Sequence, residues 1–257
     1  MFILFDLGKT KLRVAGTTDK KSITEVQILK TPLNLEAAID LLSKTAVEIS
    51  GGQIEGFCGG VTATLDKSRG TQTSELIKKR INRPVFIHND ASLGALGEAV
   101  HGAGRDERIV GYITVSTGIG GARIVDGKID EGARGFEPGH QIISYKESQT
   151  LQNLASGEAL QKKYNRPPKE LLDPELWTEL SAILAVGVYN SILHWMPDIM
   201  VLGGSMITGS PAISVLDVEK HLRMINKILL TLPRIRMSEL GDENGIYGAL
   251  AYLSQQV

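Results

Sequence analysis

The chain has 257 residues, of which 42% are hydrophobic and 22% charged, and its formal net charge is −1. This composition is typical of a globular protein of one or two domains, and a charge so near zero excludes a strong general attraction to nucleic acid or to anionic membranes. The single cysteine excludes an intrachain disulfide and any metal site built from several cysteines. We expect neither a leader peptide nor a membrane-spanning segment, and we predict a cytoplasmic protein.

The first half of the chain is predicted to form three strands and then alternating helices and strands. Apolar runs between short polar turns indicate strands at residues 2–6, 12–16 and 23–30. Asn34 is the expected N-cap of a helix, because apolar residues follow it at helical spacing. Four further elements are predicted: a strand at 55–61, a helix at 74–82, a strand at 84–88 and a small-residue helix at 91–101.

The second half of the chain partly repeats that order. Segments 109–116 and 121–125 predict a β-hairpin, and a loop rich in glycine and charge follows at 130–140. Pro174 is expected to start a long helix that reaches Trp195. The remaining predictions are a helix at 157–164, a strand at 199–202, a mainly helical stretch and a last helix at 247–253.

This partial repetition predicts an α/β fold of two related lobes that face a cleft. Residues 1–108 are predicted to form the N-terminal lobe, which the C-terminal helix at about 245–257 completes. Residues 109–244 are predicted to form the C-terminal lobe. The expected cleft would lie between Gly8, Asp90, Gly118 and Gly203.

Three of the predicted strands end in turns that contain glycine and small hydroxyl residues. Such turns expose backbone N–H groups, which can cradle phosphate, so we expect a phosphate-rich ligand between the lobes. Lys9 either reaches a terminal phosphate as a point charge or is a solvated hairpin tip, and a left-handed backbone there would cost about 1 kcal/mol relative to glycine. The candidate phosphate-binding residues are Asp6, Gly8, Lys9, Thr10, Lys11, Thr117, Gly118, Gly203, Gly204 and Ser205.

Seven short motifs resemble, in order and rough spacing, those of the ROK family (repressors, open reading frames and sugar kinases), and together they cover nearly the whole chain. Residues 6–11 are similar to the family's first phosphate motif and residues 114–121 to its second. The Asn-Asp-Ala at 89–91 looks like its catalytic segment, and the Glu-Pro-Gly-His at 137–140 looks like its sugar-binding motif. The other three resemblances are to the segment after the zinc loop at 155–160, the adenosine motif at 198–205 and the C-terminal signature at 245–249.

The resemblance implies two actin-like (ribonuclease H-like) lobes and an ATP- and Mg²⁺-dependent kinase that phosphorylates a hydroxyl of a hexose or an N-acetylated amino sugar. Asp90 would be the general base, although an Asp in this place is also a common helix N-cap. Asn89 would hold a sugar hydroxyl or only form the turn, and Asp6 would position Mg²⁺ through water or only end its strand. Glu137 and His140 would bind sugar hydroxyls, with a loop-anchoring hydrogen bond as the alternative for His140.

Four departures from the family pattern affect what the resemblance implies. Lys9 stands where the family has a glycine, and the segment at 60–89 is shorter than usual. No cysteine lies between His140 and Ala155, where the family's zinc ligands stand, so no zinc site is expected. Gln152 replaces a sugar-binding glutamate, and without a charge it should hold a hydroxyl less tightly. The identity of the sugar therefore does not follow from the resemblance.

Two alternatives to an ATP-dependent kinase stay open. A polyphosphate-dependent glucokinase of the same family is similarly compact and also lacks the cysteines. A catalytically weak protein that binds sugar or nucleotide agrees with Lys9, Gln152 and the shortened segment at 60–89. Family repressors carry an N-terminal helix-turn-helix, which we do not expect here, so nucleic acid is not a predicted partner. The apolar stripe at 176–192 is expected to be mostly core, and a homodimer is a possible assembly.

Overall fold

The computed structural model describes residues 1–68, 70–132 and 135–256. These residues divide into two compact units. Unit 1 comprises Met1–His101 and Asp242–Val257, and unit 2 comprises Gly102–Gly241. The limits expected from the sequence, at residues 108 and about 245, stay a prediction about the lobes.

Unit 1 is built on a mixed five-stranded sheet. Its strands are β1 (Phe2–Leu7), β2 (Lys11–Thr17), β3 (Gln27–Lys30), β4 (Gly56–Val61) and β5 (Val85–Asn89). They lie in the order β3-β2-β1-β4-β5, with β1, β2 and β3 antiparallel and with β4 and β5 parallel to β1. The helices of this unit are α1 (Leu35–Ser50), α2 (Thr71–Arg80), α3 (Asp90–His101) and a C-terminal helix, Asn244–Gln256.

The ends of α1 follow from its local sequence. Asn34 is its N-cap, as predicted, because the side-chain oxygen accepts a hydrogen bond from the N–H of Ala37 at 2.8 Å. Gly51 ends the helix in the left-handed conformation with φ of 59°. Ile39 and Leu42 on its apolar face are fully buried in the core of unit 1.

Asp66 fixes the segment between β4 and α2. Its side chain is fully buried, and its carboxylate accepts four hydrogen bonds, two each from Ser68 and Thr73. Burial by itself raises the pKa of Asp66, but the hydrogen bonds to the charged form together hold that pKa below its ordinary value of 3.8. The carboxylate is therefore more stable in the folded chain than in the unfolded one.

We expect Asp66→Asn to lower the free energy of unfolding by about 2 kcal/mol near pH 7, since an amide cannot accept all four bonds. Because the folded-state pKa is depressed, the contribution of the carboxylate is present above about pH 4 and is lost as the pH falls through the folded pKa. Urea denaturation near pH 7 and near pH 3 measures both effects. The difference between wild type and variant should narrow at the lower pH, and an equal difference at both would contradict the prediction.

Unit 2 contains a second mixed five-stranded sheet and a small hairpin. Its strands are β6 (Ile109–Val115), β7 (Ile119–Val125), β8 (Lys128–Ile129), β9 (Ile142–Ser144), β10 (Gln149–Thr150), β11 (Ile199–Gly203) and β12 (Arg234–Met237). The pair β9 and β10 stands apart, and the other five lie in the order β12-β11-β6-β7-β8. The helices are α4 (Leu151–Ala155), α5 (Gly157–Tyr164), α6 (Pro174–Trp195), α7 (Ser205–Thr208) and α8 (Val215–Ile225), so that the C-terminal helix is α9.

The two sheets share one connectivity. In each, three antiparallel strands formed by consecutive hairpins are followed by two strands that lie parallel to the first. This arrangement confirms the α/β class and the two related halves that the sequence predicts.

Some predicted elements differ from the structure in type or extent. Residues 234–237 are expected in a mainly helical stretch but form β12, which pairs with β11. The sequence does not predict β8, β9, β10 or α4, because two to five residues are too few to show a periodic pattern. β3 begins at Gln27 rather than at residue 23, and β7 begins at Ile119 rather than at residue 121.

Helix α6 forms much of the core of unit 2. It begins as predicted at Pro174, with Asp173 as its N-cap. With 22 residues and an apolar window of mean hydropathy 1.4, the helix is long and apolar enough to span a membrane. The expectation that the sequence contains no segment of that length is therefore wrong. However, 56% of its apolar window is buried within the protein. The stripe at 176–192 lies largely in the core as predicted, with Leu176, Leu180, Leu184, Val188 and Ile192 all buried.

Candidate active site

Hydrogen bonds from Gly8 and Thr31 hold the turn between β1 and β2. Gly8 donates its N–H to the carbonyl of Lys11 at 3.0 Å. Thr31, which is buried, donates its hydroxyl to the carbonyl of Gly8 at 2.8 Å and its N–H to the carbonyl of Thr10 at 3.1 Å. The side chains of Lys9 and Thr10 are exposed at the tip, and Lys9 is not among the residues with a left-handed backbone. The strain considered for a lysine at this position is therefore absent.

Asp6 lies at the end of β1 beside a charged partner on β2. The hairpin places it opposite Arg13, whose Nη1 donates to Asp6 Oδ2 at 2.8 Å. Burial raises the pKa of Asp6 to about 6, although Arg13 opposes the shift and the negative charge of Asp90 adds to it. The influence of Asp90 on this pKa puts two predicted site residues in electrostatic contact within unit 1.

Lys11, a predicted phosphate ligand, has a carboxylate partner in the structure. Its Nζ donates to Asp242 Oδ2 at 2.5 Å, and Arg13 Nη2 lies 3.0 Å from the other oxygen of Asp242. Partial burial raises the pKa of Asp242, but these two cations together hold that pKa below its usual value. The sequence analysis missed Arg13 and Asp242. The hairpin register opposite Asp6 could have revealed Arg13, whereas no local pattern points to Asp242.

The start of α3 separates the roles of Asn89 and Asp90. Asn89 supplies the capping oxygen, because its Oδ1 accepts from the N–H of Ser92 at 3.1 Å. Asp90 is the first residue of the helix, and its Oδ1 accepts from the N–H of Ala91 at 2.9 Å. The hydrogen bond typical of an N-cap therefore belongs to Asn89, and the side chain of Asp90 is only partly buried.

Gly60 and Gly245, the second of which belongs to the C-terminal signature, allow close packing around Asp90 and Asp6. A Cβ atom on Gly60 of β4 would lie 3.0 Å from the Cα of Asp90. A Cβ atom on Gly245 of α9 would lie 2.9 Å from the carboxyl carbon of Asp6. Both distances are shorter than ordinary carbon–carbon contacts, so a larger residue at either position would displace a site carboxylate.

The turn between β6 and β7 carries two of the predicted phosphate-binding residues, Thr117 and Gly118. Ser116 organises it: its N–H donates to the carbonyl of Gly118 at 2.8 Å, and its carbonyl accepts from the N–H of Gly157 at 2.8 Å. The N–H groups of Thr117 and Gly118 donate no hydrogen bond within the described residues. This leaves two adjacent backbone donors, which is the arrangement expected of an anion cradle.

The turn after β11 meets the same serine. Gly204 has φ of 88°, and a Cβ atom there would lie 2.6 Å from Ser116 Oγ. The N–H of Ser205 donates to that Oγ at 3.0 Å. The structure thus brings the second and third predicted glycine turns together through Ser116. Ser116 was not among the predicted site residues, although a hydroxyl residue beside a glycine turn could have indicated it.

Gln152, a predicted sugar ligand, contacts the turn between β6 and β7. Its Oε1 accepts from the N–H of Ile119 at 2.9 Å and would lie 2.9 Å from a Cβ atom on Gly118. Its Nε2 makes no hydrogen bond in the part of the chain that the structure describes. The oxygen that was expected to accept from a sugar hydroxyl is therefore already engaged, and the amide nitrogen is the remaining polar atom. The role in sugar binding stays a prediction.

Glu137 and His140 flank the 3-10 turn formed by Pro138–His140. Both are exposed, and neither side chain makes a hydrogen bond among the described residues. The only hydrogen bond between them joins the N–H of His140 to the carbonyl of Glu137 at 3.0 Å. The ring of His140 therefore does not anchor the loop, and both side chains remain available to a ligand.

Two observations concern the residues that could hold a metal ion. Within the described ranges, no group of three or more His, Cys, Asp or Glu side chains is placed to hold an ion. The absence of zinc stays a prediction from the sequence. For Mg²⁺, which keeps most of its water ligands, one carboxylate can suffice, and Oδ1 of Asp6 accepts no hydrogen bond in the described chain.

Solved structures with the same architecture include two sugar kinases. A ROK hexokinase from Thermus thermophilus superposes with a TM-score of 0.82 at 26% identity, covering 99% of each chain. A ROK family glucokinase from Streptomyces griseus in complex with glucose and AMPPNP gives a TM-score of 0.82 at 22% identity, covering 100% of this chain and 99% of that one. The two-lobed fold predicted from the motifs is confirmed by these similarities.

Curated relatives carry different activities. An N-acetylgalactosamine kinase from Shewanella is 27% identical over 97% of this chain and 95% of its own length. A putative xylose repressor from Caldicellulosiruptor is 26% identical over 84% of this chain and 65% of its own length. The ROK family itself matches residues 3–256, which is nearly the whole sequence. With this match, the motifs and the two sheets in agreement, the chain belongs to the ROK family.

Proposed function

We propose that this protein is an ATP-dependent sugar kinase with Asp90 as its general base. The observation that carries the proposal is that Asn89, and not Asp90, makes the capping hydrogen bond at the start of α3. Asn89 provides the capping oxygen, so an acidic residue at position 90 is not needed for the helix to begin. The negative charge of Asp90 also adds to the raised pKa of Asp6, so the two acidic groups share one electrostatic environment.

In the proposed reaction, Asp90 accepts the proton of a sugar hydroxyl while the hydroxyl oxygen attacks the γ-phosphorus of ATP. The new oxygen–phosphorus bond forms as the bond to the β-phosphate oxygen breaks, and ADP leaves with that electron pair. Mg²⁺ bound with ATP would neutralise charge on the transferred group, and Asp6 is the residue that would hold it through water. Oδ1 of Asp6, which accepts no hydrogen bond among the described residues, is the atom proposed for that contact.

Backbone groups of unit 2 are proposed to hold the nucleotide. The free N–H groups of Thr117 and Gly118 would bind phosphate oxygens. The turn at 203–205 would let the nucleotide approach the main chain, since Gly204 carries no side chain at a left-handed position. In unit 1, the turn with Gly8, Lys9 and Thr10 is proposed as the other phosphate contact.

Four side chains with unused polar atoms are proposed to recognise the sugar. Glu137 and His140 are exposed and have no hydrogen-bond partner among the described residues. Asn89 keeps its amide nitrogen for a hydroxyl, because only its oxygen is used by the cap. Gln152 would contribute a donor through Nε2, which suits a hydroxyl or carbonyl acceptor. A hexose offers hydroxyl acceptors, and an N-acetylated amino sugar offers an amide carbonyl as well.

Two other functions remain as alternatives on specific observations. The ion pair between Lys11 and Asp242 leaves one fewer cation for ATP and could be broken by a more highly charged donor, polyphosphate. A protein that binds sugar with little catalysis is the second alternative, because a putative repressor is among the curated relatives. A cytoplasmic location, a homodimer, and the absence of nucleic-acid and membrane partners stay predictions.

A coupled kinase assay separates these functions. The purified protein is given glucose, mannose, N-acetylglucosamine, N-acetylgalactosamine or N-acetylmannosamine, each with Mg²⁺ and either ATP or polyphosphate. We expect phosphorylation of at least one sugar with ATP. Activity with polyphosphate alone would favour the first alternative, and sugar binding by calorimetry without any turnover would favour the second.

A further inference from the structure

The 3-10 turn that carries Glu137 and His140 rests on strand β7. A Cβ atom on its middle residue, Gly139, would overlap the carbonyl of Ile119, so the turn lies directly on the strand backbone. Pro138 lies equally close to the strand, since a Cβ atom on Gly121 would be 2.9 Å from Pro138 Cγ. This packing fixes how far the turn stands from the sheet, but the two exposed side chains contribute nothing to holding it.

Gln141, the next residue, ties the turn to two helices. Its Nε2 donates to the carbonyl of Pro138 at 2.8 Å and to the carbonyl of Gly187 on α6 at 3.1 Å. Its Oε1 accepts from Nδ2 of Asn190, one turn further along α6, at 2.9 Å. Its main-chain carbonyl accepts from the N–H of Leu151, the first residue of α4, at 3.0 Å.

This set of bonds uses both donors of the Gln141 amide and satisfies its oxygen. A neutral side chain with all its polar groups paired to helix backbone and to one helix side chain has a single favoured orientation. Because the same Nε2 bonds to the carbonyls of Pro138 and Gly187, this amide links the turn directly to α6. Neither the motifs nor the resemblance assigns Gln141 a role.

We propose that Gln141 is a positioning residue for sugar recognition: it fixes the 3-10 turn against α6 so that Glu137 and His140 meet the sugar hydroxyls. The inference rests on the proposed sugar-kinase function. Asn190 supports the same arrangement, because its Nδ2 donates to Gln141 Oε1 and so orients the amide. Gln141 itself does not touch the sugar.

The test uses Gln141→Met, which keeps the length of the side chain and removes the three hydrogen bonds that the side chain makes. Calorimetry measures the Kd for the sugar that the wild type binds best and, separately, the Kd for AMPPNP. We expect the sugar Kd to rise about tenfold, as the loss of more than one hydrogen bond implies, with the AMPPNP Kd within about twofold of wild type. In the kinase assay, the KM for sugar should rise by a similar factor while the KM for ATP stays constant.

Two further variants keep the test decisive. Asn190→Ala breaks only the bond to Oε1 and should raise the sugar Kd by about threefold, and it replaces Gln141→Met if that variant does not fold. Gln161→Met, at an exposed position on α5, is the matched control and should bind both ligands as wild type does.

The outcomes are distinguishable. An unchanged sugar Kd in folded Gln141→Met, or an equal loss of sugar and AMPPNP affinity, overturns the positioning role and leaves the kinase function intact. A wild-type protein that binds none of the sugars overturns the proposed function and the role of Gln141 with it. A selective loss of sugar affinity supports both.

Discussion

Asp90→Asn is expected to reduce kcat for sugar phosphorylation by at least about a hundredfold, because a positioned general base contributes roughly 10²–10⁴-fold. The amide is nearly the same size as the carboxylate and can still accept from the N–H of Ala91, which Asp90 holds at 2.9 Å. It cannot take up the proton of the attacking hydroxyl. Initial rates at saturating sugar and ATP measure the effect.

The helix cap makes this variant informative. Since Asn89 supplies the capping bond to Ser92, we expect Asp90→Asn to fold with a melting temperature close to that of the wild type. Asp126→Asn is a matched control, because Asp126 is an exposed turn residue with φ of 50°, a conformation that asparagine tolerates. Turnover close to that of the wild type in folded Asp90→Asn would remove Asp90 from the catalytic role.

Gly248→Ala is expected to lower the free energy of unfolding by about 3 kcal/mol, at the upper end of the usual cost of overpacking. Gly248 lies where α9 crosses α3, and a Cβ atom there would overlap the carbonyl oxygen of Leu93. The obstacle is a helix backbone, which cannot move aside by a change of rotamer. Gly97 forms the reciprocal contact, since a Cβ atom on it would overlap the carbonyl of Asn244.

The sign of the change in unfolding free energy shows whether close packing or helix propensity dominates in Gly248→Ala. Where space is available, replacing a helical glycine with alanine stabilises a protein by up to about 1 kcal/mol. A loss of stability in urea denaturation therefore reports the close approach of the two helices, and a gain would refute it. Gln256→Ala, at an exposed position near the end of the same helix, should change stability little.

The sequence predicts those parts of the fold that carry their own local signals. Asn34 and Pro174 mark the starts of α1 and α6, because an N-cap residue and a proline in the first turn are recognisable without knowledge of the rest of the chain. Strand β12 is missed because a four-residue edge strand with one buried side chain, Ile235, shows no clear alternation. Its place in the sheet comes from pairing with β11, which lies more than thirty residues earlier.

The candidate site divides in the same way. The glycine turns and the segment with Asn89 and Asp90 are visible as short motifs, since each is a run of neighbouring residues. The partners that fix them are distant in sequence: Lys11 pairs with Asp242, 231 residues away, and Gln141 bonds to Gly187, 46 residues away. Only the folded chain identifies such pairs. For the same reason the sequence suggests Gln152 as a sugar ligand and does not reveal that its oxygen binds Ile119.

The composition of unit 1 from both ends of the chain has a consequence for protein synthesis. As the chain leaves the ribosome, residues 1–101 emerge first but lack α9, which packs on α3 and places Gly245 against Asp6. Unit 2 is a continuous segment and has all its strands once residue 241 has emerged. The part made first is therefore completed last, and until then the apolar surface of α3 is exposed to aggregation or to chaperones. All of unit 2 has therefore been synthesised before the last segment of unit 1 is made.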